Sequence, residues 1–291
     1  MKSLFKDPNV AQRYQEDGYV ILDLLSPEEI KAEQAFFYHH VHDFDKEPLY
    51  ESSRNNSDQT NDHINDHLQK VFLNKTLDHI QNAKVYGGTY MVKPVGSEDY
   101  LPLHQDWSIV EEDLFQTAFI WCPLQTTNQT NGGLFVVPGS HHFYQNRRSG
   151  SLPCPRITPN RKIKPYVKHL QVSEGQVIIY SDSVFHGSHP NTSQAPRIVA
   201  TARLVEEGAQ LTYYHRISDE EVGVFYFSKD TYLNGITQLV QGTIPEGLKP
   251  EYHEDYRNED INEVNFIQKI KRHLPSPTVL SRLAAWFDYS I

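Results

Sequence analysis

The sequence predicts a mainly β protein with helical flanks, whose core is a jelly roll or barrel. From residue 84 to about residue 207, the chain consists of short runs rich in β-branched and aromatic residues, which are typical of strands. Turn-forming residues, such as Asn-Gly-Gly at positions 131–133, separate these runs. We therefore expect one domain, with helical N-terminal support over about 1–83, a β core over about 84–207 and a C-terminal extension over about 208–291.

The N-terminal part is predicted to begin as helix, strand and helix. Residues 9–17 have a polar helical pattern that Gly18 ends, and residues 19–22, Tyr-Val-Ile-Leu, form a short apolar strand. Ser26 can cap a helix that begins at Pro27, because its hydroxyl can accept a hydrogen bond from a free backbone amide of the first turn. Further along, we expect a polar loop over residues 43–61 and an amphipathic helix over residues 65–81.

Five runs in the middle of the chain are the clearest strand candidates. They cover residues 85–92, 117–121, 133–137, 176–180 and 198–205. The C-terminal end returns to a helical pattern over residues 261–273 and, after two prolines, over residues 279–287. No internal repeat or linker divides the sequence, and one domain is therefore favoured over two.

Composition and charge exclude several classes of protein. The net charge of −10 argues against non-specific nucleic-acid binding, since phosphate contacts require a basic surface. Two cysteines are too few for a disulfide framework. No apolar run approaches the roughly 18 residues of a membrane span, and the first residues lack the apolar centre of a secretory signal. We expect a cytoplasmic protein without a membrane span, and the sequence indicates no oligomeric state.

Positive charge is concentrated in one segment of the chain. Residues 114–173 contain no acidic residue but seven basic ones, namely Arg147, Arg148, Arg156, Arg161, Lys162, Lys164 and Lys168. A local positive field inside an acidic protein can steer an anionic substrate. The alternative is a solvated basic loop without a ligand, and the sequence does not decide between the two.

A His-x-Asp tripeptide occurs twice, and by itself it is weak support for a metal site. A facial-triad iron site needs two histidines and one carboxylate, and residues i and i+2 of a strand point to the same side. His104 and Asp106 can therefore supply two ligands, and His186 can supply the third from a strand that folding brings alongside. The second tripeptide begins at His253 and is followed only by His273, which is too near in sequence to complete such a site.

Arg197 lies eleven residues after His186, at the start of the strand predicted over residues 198–205. Its guanidinium can bind the far carboxylate of a dicarboxylate co-substrate through two parallel hydrogen bonds. Ser188 can add a hydroxyl donor. The spacing therefore favours a 2-oxo dicarboxylate that binds the metal at one end and Arg197 at the other.

Several motifs, in order, resemble those of the phytanoyl-CoA dioxygenase family. They are Asp-Gly-Tyr-Val-Ile-Leu at 17–22, Leu-Ser-Pro-Glu-Glu-Ile at 25–30, Met-Val-Lys-Pro at 91–94, Leu-His-Gln-Asp at 103–106, the glycine-containing segment at 131–141, His-Gly-Ser at 186–188, and Arg197. The resemblance runs from about residue 10 to residue 207.

This resemblance implies a double-stranded β-helix core, the cupin-like jelly roll, and the use of iron(II), 2-oxoglutarate and dioxygen. It also implies that His104, Asp106 and His186 bind the iron, while Arg197 and Ser188 bind 2-oxoglutarate. The co-products would be succinate and carbon dioxide.

The same resemblance extends to two further residues of the co-substrate site. Trp121 falls near a pocket tryptophan of the family, although packing in the core explains a tryptophan there almost equally well. Thr89 is carried over as a further contact, from a region where the loop before His104 varies in length. Related halogenases replace the carboxylate ligand with a small residue, and the presence of Asp106 therefore disfavours halogenation.

The predicted function is hydroxylation of a C–H bond of a small molecule, and an anionic substrate is the more specific hypothesis. Two alternatives remain open from the sequence. The same iron chemistry can give desaturation, epimerisation or ring closure, and a jelly roll can also serve as a non-catalytic binding module.

Overall fold

The computed structural model of the protein describes residues 2–278, and the helix predicted over residues 279–287 lies outside them. The helices of the described part are α1 (Pro8–Asp17), α2 (Pro27–His40), α3 (Ser52–Asn55), α4 (Asp58–Thr76), α5 (Lys229–Val240) and α6 (Glu263–His273). Its strands are β1 (Tyr19–Asp23), β2 (Tyr50–Glu51), β3 (Ala83–Tyr86), β4 (Tyr90–Lys93), β5 (Leu101–His104), β6 (Thr117–Pro123), β7 (Leu134–Val136), β8 (Lys168–His169), β9 (Gln176–Ser181), β10 (His186–Ser188), β11 (Arg197–Glu206), β12 (Leu211–Arg216), β13 (Glu221–Phe227) and β14 (Tyr252–Asp255). None of these helices is long and apolar enough to cross a membrane.

Most of the strands belong to two antiparallel sheets that pack against each other. The larger sheet has the order β1-β9-β6-β11-β4-β2, with β3 also paired to β11, and the smaller has the order β5-β10-β7-β8. Apolar side chains of both sheets meet between them, including Trp121 and Ile178 of the larger sheet and Val136 of the smaller one. Two packed antiparallel sheets form a jelly roll, and the predicted fold class is therefore confirmed.

Strand β11 separates the helical layer from the interior of the jelly roll. Successive side chains of a strand point to opposite faces. Ile198, Ala200 and Leu204 accordingly pack with apolar residues of α2 and α4. Arg197 and Arg203 lie on the other face and line a cavity between the sheets. The strand that supports the helices therefore also carries charged side chains into the interior.

The predicted start of the chain is confirmed. α1 ends at Gly18, whose φ of 79° lies in the left-handed region that glycine adopts without strain. α2 begins after Ser26, whose hydroxyl accepts a hydrogen bond from the Glu29 amide while the Glu29 carboxylate accepts one from the Ser26 amide. This reciprocal cap fixes the point at which the helical layer begins.

The loop predicted over residues 43–61 is wrong, because β2, α3 and the first turn of α4 form there. Ser57 caps α4 by accepting a hydrogen bond from the Thr60 amide. The helix predicted over residues 65–81 therefore exists but begins at Asp58 and ends at Thr76. Its first turns carry asparagine and aspartate rather than an apolar stripe, and hydrophobic periodicity does not detect such turns.

The strand predicted over residues 85–92 is two strands, β3 and β4, separated by Gly87 and Gly88. A Cβ atom at Gly88 would lie 1.5 Å from the carbonyl oxygen of Thr201 on β11. The backbone therefore passes too close to β11 at this point for any residue with a side chain.

The C-terminal part differs most from the prediction. The helix expected over residues 261–273 is confirmed as α6, but the structure adds α5 and a third sheet with the order β12-β13-β14. His253 of the second His-x-Asp tripeptide lies in β14, where its Nδ1 is 2.7 Å from a carboxylate oxygen of Glu221. It is exposed and belongs to this third sheet rather than to the jelly roll.

A buried carboxylate joins the helical layer to the larger sheet, and its removal should destabilise the protein. Glu33 of α2 accepts hydrogen bonds from the Tyr90 hydroxyl and, at 2.9 Å, from Nε2 of His67. Glu33→Ala leaves the buried Tyr90 hydroxyl without its acceptor, and we expect it to lower the free energy of unfolding by about 2 kcal/mol. Urea unfolding measures this loss.

The double variant Glu33→Ala/Tyr90→Phe provides the control for this prediction. It removes both partners and should recover part of the lost stability, because no buried hydroxyl is then left without an acceptor. Equal stability of wild type and Glu33→Ala would contradict the prediction.

Candidate metal centre and its cavity

Strand pairing brings the two predicted histidine ligands together. β10 pairs with β5 so that His186 lies opposite His104, and it also pairs with β7, where His186 lies opposite Val136. Asp106 follows β5, and its backbone amide donates a 2.8 Å hydrogen bond to the carbonyl oxygen of Asp182, just after β9. The smaller sheet thus positions both histidines, and the larger sheet positions the carboxylate.

The three side chains surround a common point. Oδ1 of Asp106 lies 3.7 Å from Nε2 of His104 and 3.8 Å from Nε2 of His186. These distances are too long for hydrogen bonds. The possible ligand atoms of the three residues all lie within 4.8 Å of one another, and in the described part of the chain no other group of three or more such residues meets this condition.

Both histidines are held in the form that a metal requires. Nδ1 of His104 is 2.9 Å from the carbonyl oxygen of Pro102, and Nδ1 of His186 is 3.0 Å from that of Val184. Nδ1 therefore carries the proton and donates it to the carbonyl, which leaves the Nε2 lone pair of each ring available. Burial, followed by the neighbouring His186, lowers the pKa of His104 to about 4, so this ring is neutral near pH 7.

Asp106 has an unused acceptor. Its Oδ2 atom is buried and has no hydrogen-bond partner among the described residues. Burial opposes ionisation of the carboxyl group, but His186, Arg203 and His104 together hold its pKa below the ordinary value. A buried, ionised carboxylate with a free oxygen, beside two imidazole rings that each present Nε2, matches the donor set that binds a divalent transition metal.

Arg197 is a buried cation that forms no ion pair with the described part of the chain. Only 2% of its surface is exposed, its guanidinium lies 5.6 Å from the centre of the Trp121 ring, and its Nε has no hydrogen-bond partner among the described residues. Burial lowers the pKa of Arg197 to about 10, which still leaves it charged at neutral pH. An unpaired buried cation is costly, and it therefore indicates a place for a bound anion.

Lys93 lies opposite Arg197 in the pairing of β4 with β11. Its Nζ is 3.1 Å from a carboxylate oxygen of Asp99 and donates to the carbonyl oxygens of Asp99 and His189. Burial and then the charge of Arg197 lower the pKa of Lys93 to about 8. The charge of Lys93 is thus paired with Asp99, whereas the charge of Arg197 is not paired with any described carboxylate.

All of the predicted site residues line a single cavity of about 630 Å³. They are Thr89, His104, Asp106, Trp121, His186, Ser188 and Arg197. The Trp121 ring is buried between the sheets and also faces the Arg197 guanidinium, a position that is compatible with both explanations of this residue. The Thr89 hydroxyl is 2.6 Å from that of Ser52 and accepts a hydrogen bond from the Ser53 amide, and it thus also joins the start of β4 to α3.

Three residues to which the sequence assigned no role support the candidate metal centre. Arg203 forms a 2.5 Å ion pair with the fully buried Asp182, whose carbonyl oxygen accepts the Asp106 amide. The Tyr180 ring lies 4.5 Å from the His186 ring, and burial, reinforced by the Asp106 charge, raises the pKa of Tyr180. Strand alternation is the sequence signal that could have indicated these residues. Arg203 lies on the same strand face as Arg197, and Tyr180 lies on the same face as Asp182.

The C-terminal part forms one wall of the cavity. It is lined by Leu211 at the start of β12 and by Ile236 and Val240 of α5, together with residues of α3 and α4. These positions lie beyond the motifs of the sequence analysis, and no sequence pattern placed them near the metal centre.

Residues 14–199 match the family model described as phytanoyl-CoA dioxygenase. Phytanoyl-CoA dioxygenase domain-containing protein 1 of Danio rerio is 28% identical over 134 residues, which are 43% of this chain and 46% of that protein. Its Dictyostelium discoideum homolog is 30% identical over 138 residues, 44% of this chain and 48% of that protein. The chain therefore spans about half the length of the curated relatives it matches.

A solved structure shows the same fold. The non-heme monooxygenase ThoJ, in a complex with nickel, covers 95% of this chain and 98% of its own, with a TM-score of 0.50 and 15% sequence identity. At this identity the likeness concerns the fold alone, and it agrees with the jelly-roll core and helical flanks described above.

Proposed function

Because the chain belongs to the phytanoyl-CoA dioxygenase family, whose members use iron(II), 2-oxoglutarate and dioxygen, we propose that it hydroxylates a C–H bond of a small molecule. Succinate and carbon dioxide are the co-products. One observation carries the proposal: three potential metal ligands and an unpaired buried arginine open into the same cavity. A non-catalytic jelly roll would not require both a set of metal ligands and an unpaired arginine in one cavity.

The residues fit the two groups that this chemistry requires. His104 and His186 offer free Nε2 atoms, and Asp106 offers a buried oxygen without a partner, so these three would hold iron(II). Arg197 would bind the far carboxylate of 2-oxoglutarate, with Ser188 beside it. When bound, the two groups supply the coupled reduction of dioxygen and oxidative decarboxylation of 2-oxoglutarate.

The other cavity residues orient the reactants and exclude water. Arg203 and Asp182 fix the backbone on which Asp106 is placed. Tyr180 and Trp121 are almost fully buried and close the inner side of the cavity around His186 and Arg197. These buried side chains would limit the access of solvent to the metal site during the reaction.

Anaerobic spectroscopy tests the proposal directly. Addition of iron(II) and 2-oxoglutarate to the wild-type protein should produce a weak visible charge-transfer band, which would report that the metal and the 2-oxo acid are bound together. His104→Ala, which removes one ligand, should lose the band.

Absence of the band from folded wild-type protein would contradict the proposed function, and its persistence in His104→Ala would contradict the ligand assignment. Succinate release in the presence of a metabolite extract separates an enzyme from a binding module. Mass spectrometry of the product then distinguishes hydroxylation, which adds an oxygen atom, from desaturation, epimerisation or ring closure.

A further inference from the structure

Four arginines line the cavity, and they differ in what they contact. Nε of Arg54 is 2.9 Å from a carboxylate oxygen of Glu51, and Arg203 is paired with Asp182. Arg197 is buried and fits the co-substrate. Arg156 is exposed and lines the cavity, and it forms no ion pair or hydrogen bond with the side chains that the structure describes (residues 2–57, 59–228 and 235–278).

The backbone places Arg156 beside the metal centre. Leu103 and Ile157 form an antiparallel bridge with two hydrogen bonds of 3.0 and 2.9 Å between their amides and carbonyl oxygens. In an antiparallel pair, the residue before Ile157 lies across from the residue after Leu103, which places Arg156 opposite His104 on the same face. Arg156 accordingly adds to the lowering of the His104 pKa that burial and His186 chiefly cause.

The segment that carries Arg156 is fixed by contacts with the rest of the protein. Arg147 lies 3.0 Å from Asp113 and 3.1 Å from Glu254, counted between guanidinium nitrogens and carboxylate oxygens. Arg148 is buried, donates to the carbonyl oxygen of Asp106 and forms an ion pair with Glu112. These two arginines are therefore structural. The sequence suggested that the whole basic segment could attract an anionic substrate. Of this segment, Arg156 lines the cavity and is the residue that could bind such a substrate there.

None of the described carboxylates that line the cavity is paired with Arg156. Glu51 is paired with Arg54, Asp106 belongs to the metal centre, and Asp62 is an exposed residue of α4. The apolar part of the lining, which includes Trp107, leaves room for a carbon skeleton.

We propose that Arg156 binds a carboxylate or phosphate group of the substrate and thereby determines which C–H bond lies next to the metal. The inference rests on the proposed function, because it concerns the substrate of that same site. The substrate is then a small organic anion whose oxidised carbon lies within a few bonds of its charged group. The exposed guanidinium supplies the bidentate geometry that such oxyanions prefer.

Paired probes test this proposal. Short-, medium- and long-chain fatty acids and aromatic acids are each compared with their primary amides, and phosphate monoesters with the parent alcohols. Binding is followed through the shift of the charge-transfer band of the anaerobic protein with iron(II) and 2-oxoglutarate. In the wild type we expect at least one anion to bind about tenfold or more tightly than its neutral counterpart.

Three variants complete the design. Arg156→Gln should abolish the preference for the anion, and Arg156→Lys should retain part of it. Lys162→Gln removes an exposed charge from the same basic segment, away from the cavity, and should leave the preference unchanged. A fold defect would weaken acid and amide alike, and only charge recognition changes their ratio.

Three outcomes would overturn the proposal: equal binding of acids and amides to the wild type, a preference that survives Arg156→Gln, or a specific loss of 2-oxoglutarate affinity in Arg156→Gln. The last outcome would place Arg156 in the co-substrate site. Absence of the charge-transfer band from the wild type would instead contradict the proposed function, so the two failures are distinguishable.

Discussion

Asp106→Ala is expected to weaken iron(II) binding more than about a hundredfold and to abolish 2-oxoglutarate turnover. Loss of a residue that only orients a metal ligand costs about 10- to 100-fold in affinity, and loss of the ligand itself should cost more. Asp106 is also the only carboxylate of the cluster, so its removal leaves only two imidazole rings to bind a divalent cation. Iron titration and succinate release measure both effects.

Thermal or urea unfolding gives an independent readout of the same prediction. Manganese(II) serves here as an oxygen-stable substitute for iron(II). At about a hundred times its Kd, it should raise the free energy of unfolding of the wild type by about 2.7 kcal/mol. Asp106→Ala should show no such increase, while in the absence of metal it should remain folded.

The chain provides a matched control in its second His-x-Asp tripeptide. Asp255 lies in β14, is exposed and pairs with Arg257. Asp255→Ala should therefore leave metal binding and turnover unchanged. Wild-type metal affinity in Asp106→Ala, or equal losses in the two variants, would show that the jelly-roll cluster is not the metal site.

The grouping of the three candidate metal ligands could be predicted because it follows from local rules. His104 and Asp106 are two residues apart at the end of a strand, and the order of strands in a jelly roll brings a later strand, β10, against β5. Arg197 begins β11, on the face that alternation directs into the interior. The two-residue alternation of a strand, the spacing of the ligand residues and the order of the strands along the chain can all be read from a sequence.

The pairing of charges could not be predicted in the same way. Arg147, Arg148 and Arg156 look equivalent in the sequence, but Glu254, which pairs with Arg147, is 107 residues away. Only the three-dimensional structure shows that Arg147 and Arg148 form ion pairs, whereas Arg156 forms none with the described side chains. The hydroxyl of Thr89 is likewise bound to α3, a helix that the polar pattern of its segment concealed.

The C-terminal wall could not be placed for a different reason. Residues 221–227, Glu-Val-Gly-Val-Phe-Tyr-Phe, have a composition that favours a strand, and they form β13. The composition of a strand does not indicate which surface of the protein it packs against. The contribution of Leu211 and α5 to the cavity depends on the docking of this third sheet and its helix, which no local pattern encodes.

Arg197→Met is expected to weaken 2-oxoglutarate binding by about a hundredfold or more while leaving iron binding nearly unchanged. The guanidinium would make two charge-assisted hydrogen bonds to the far carboxylate, each worth about 1.5–3 kcal/mol. It takes no part in the metal cluster. Titration of the charge-transfer band with 2-oxoglutarate, and separate titration with metal alone, measure the two affinities. Equal loss of both would contradict this division of roles.

The same substitution should not destabilise the protein in the absence of 2-oxoglutarate. Arg197 is 2% exposed, has no anionic partner and lies beside the buried Lys93, so it carries a desolvation cost and a repulsion that methionine removes. Arg203→Met is the matched control on the same face of β11. It leaves the buried Asp182 carboxyl group without its ion-pair partner, and we expect a loss of about 3 to 5 kcal/mol in the free energy of unfolding.

Two arginines on one strand face are thus predicted to respond in opposite ways. If Arg197 is a clamp for a co-substrate, its removal costs binding and spares stability. If it were a structural residue like Arg203, its removal would cost stability in the absence of any ligand. Urea unfolding of both variants, with and without 2-oxoglutarate, distinguishes the two roles, because 2-oxoglutarate with bound metal should stabilise wild type but not Arg197→Met.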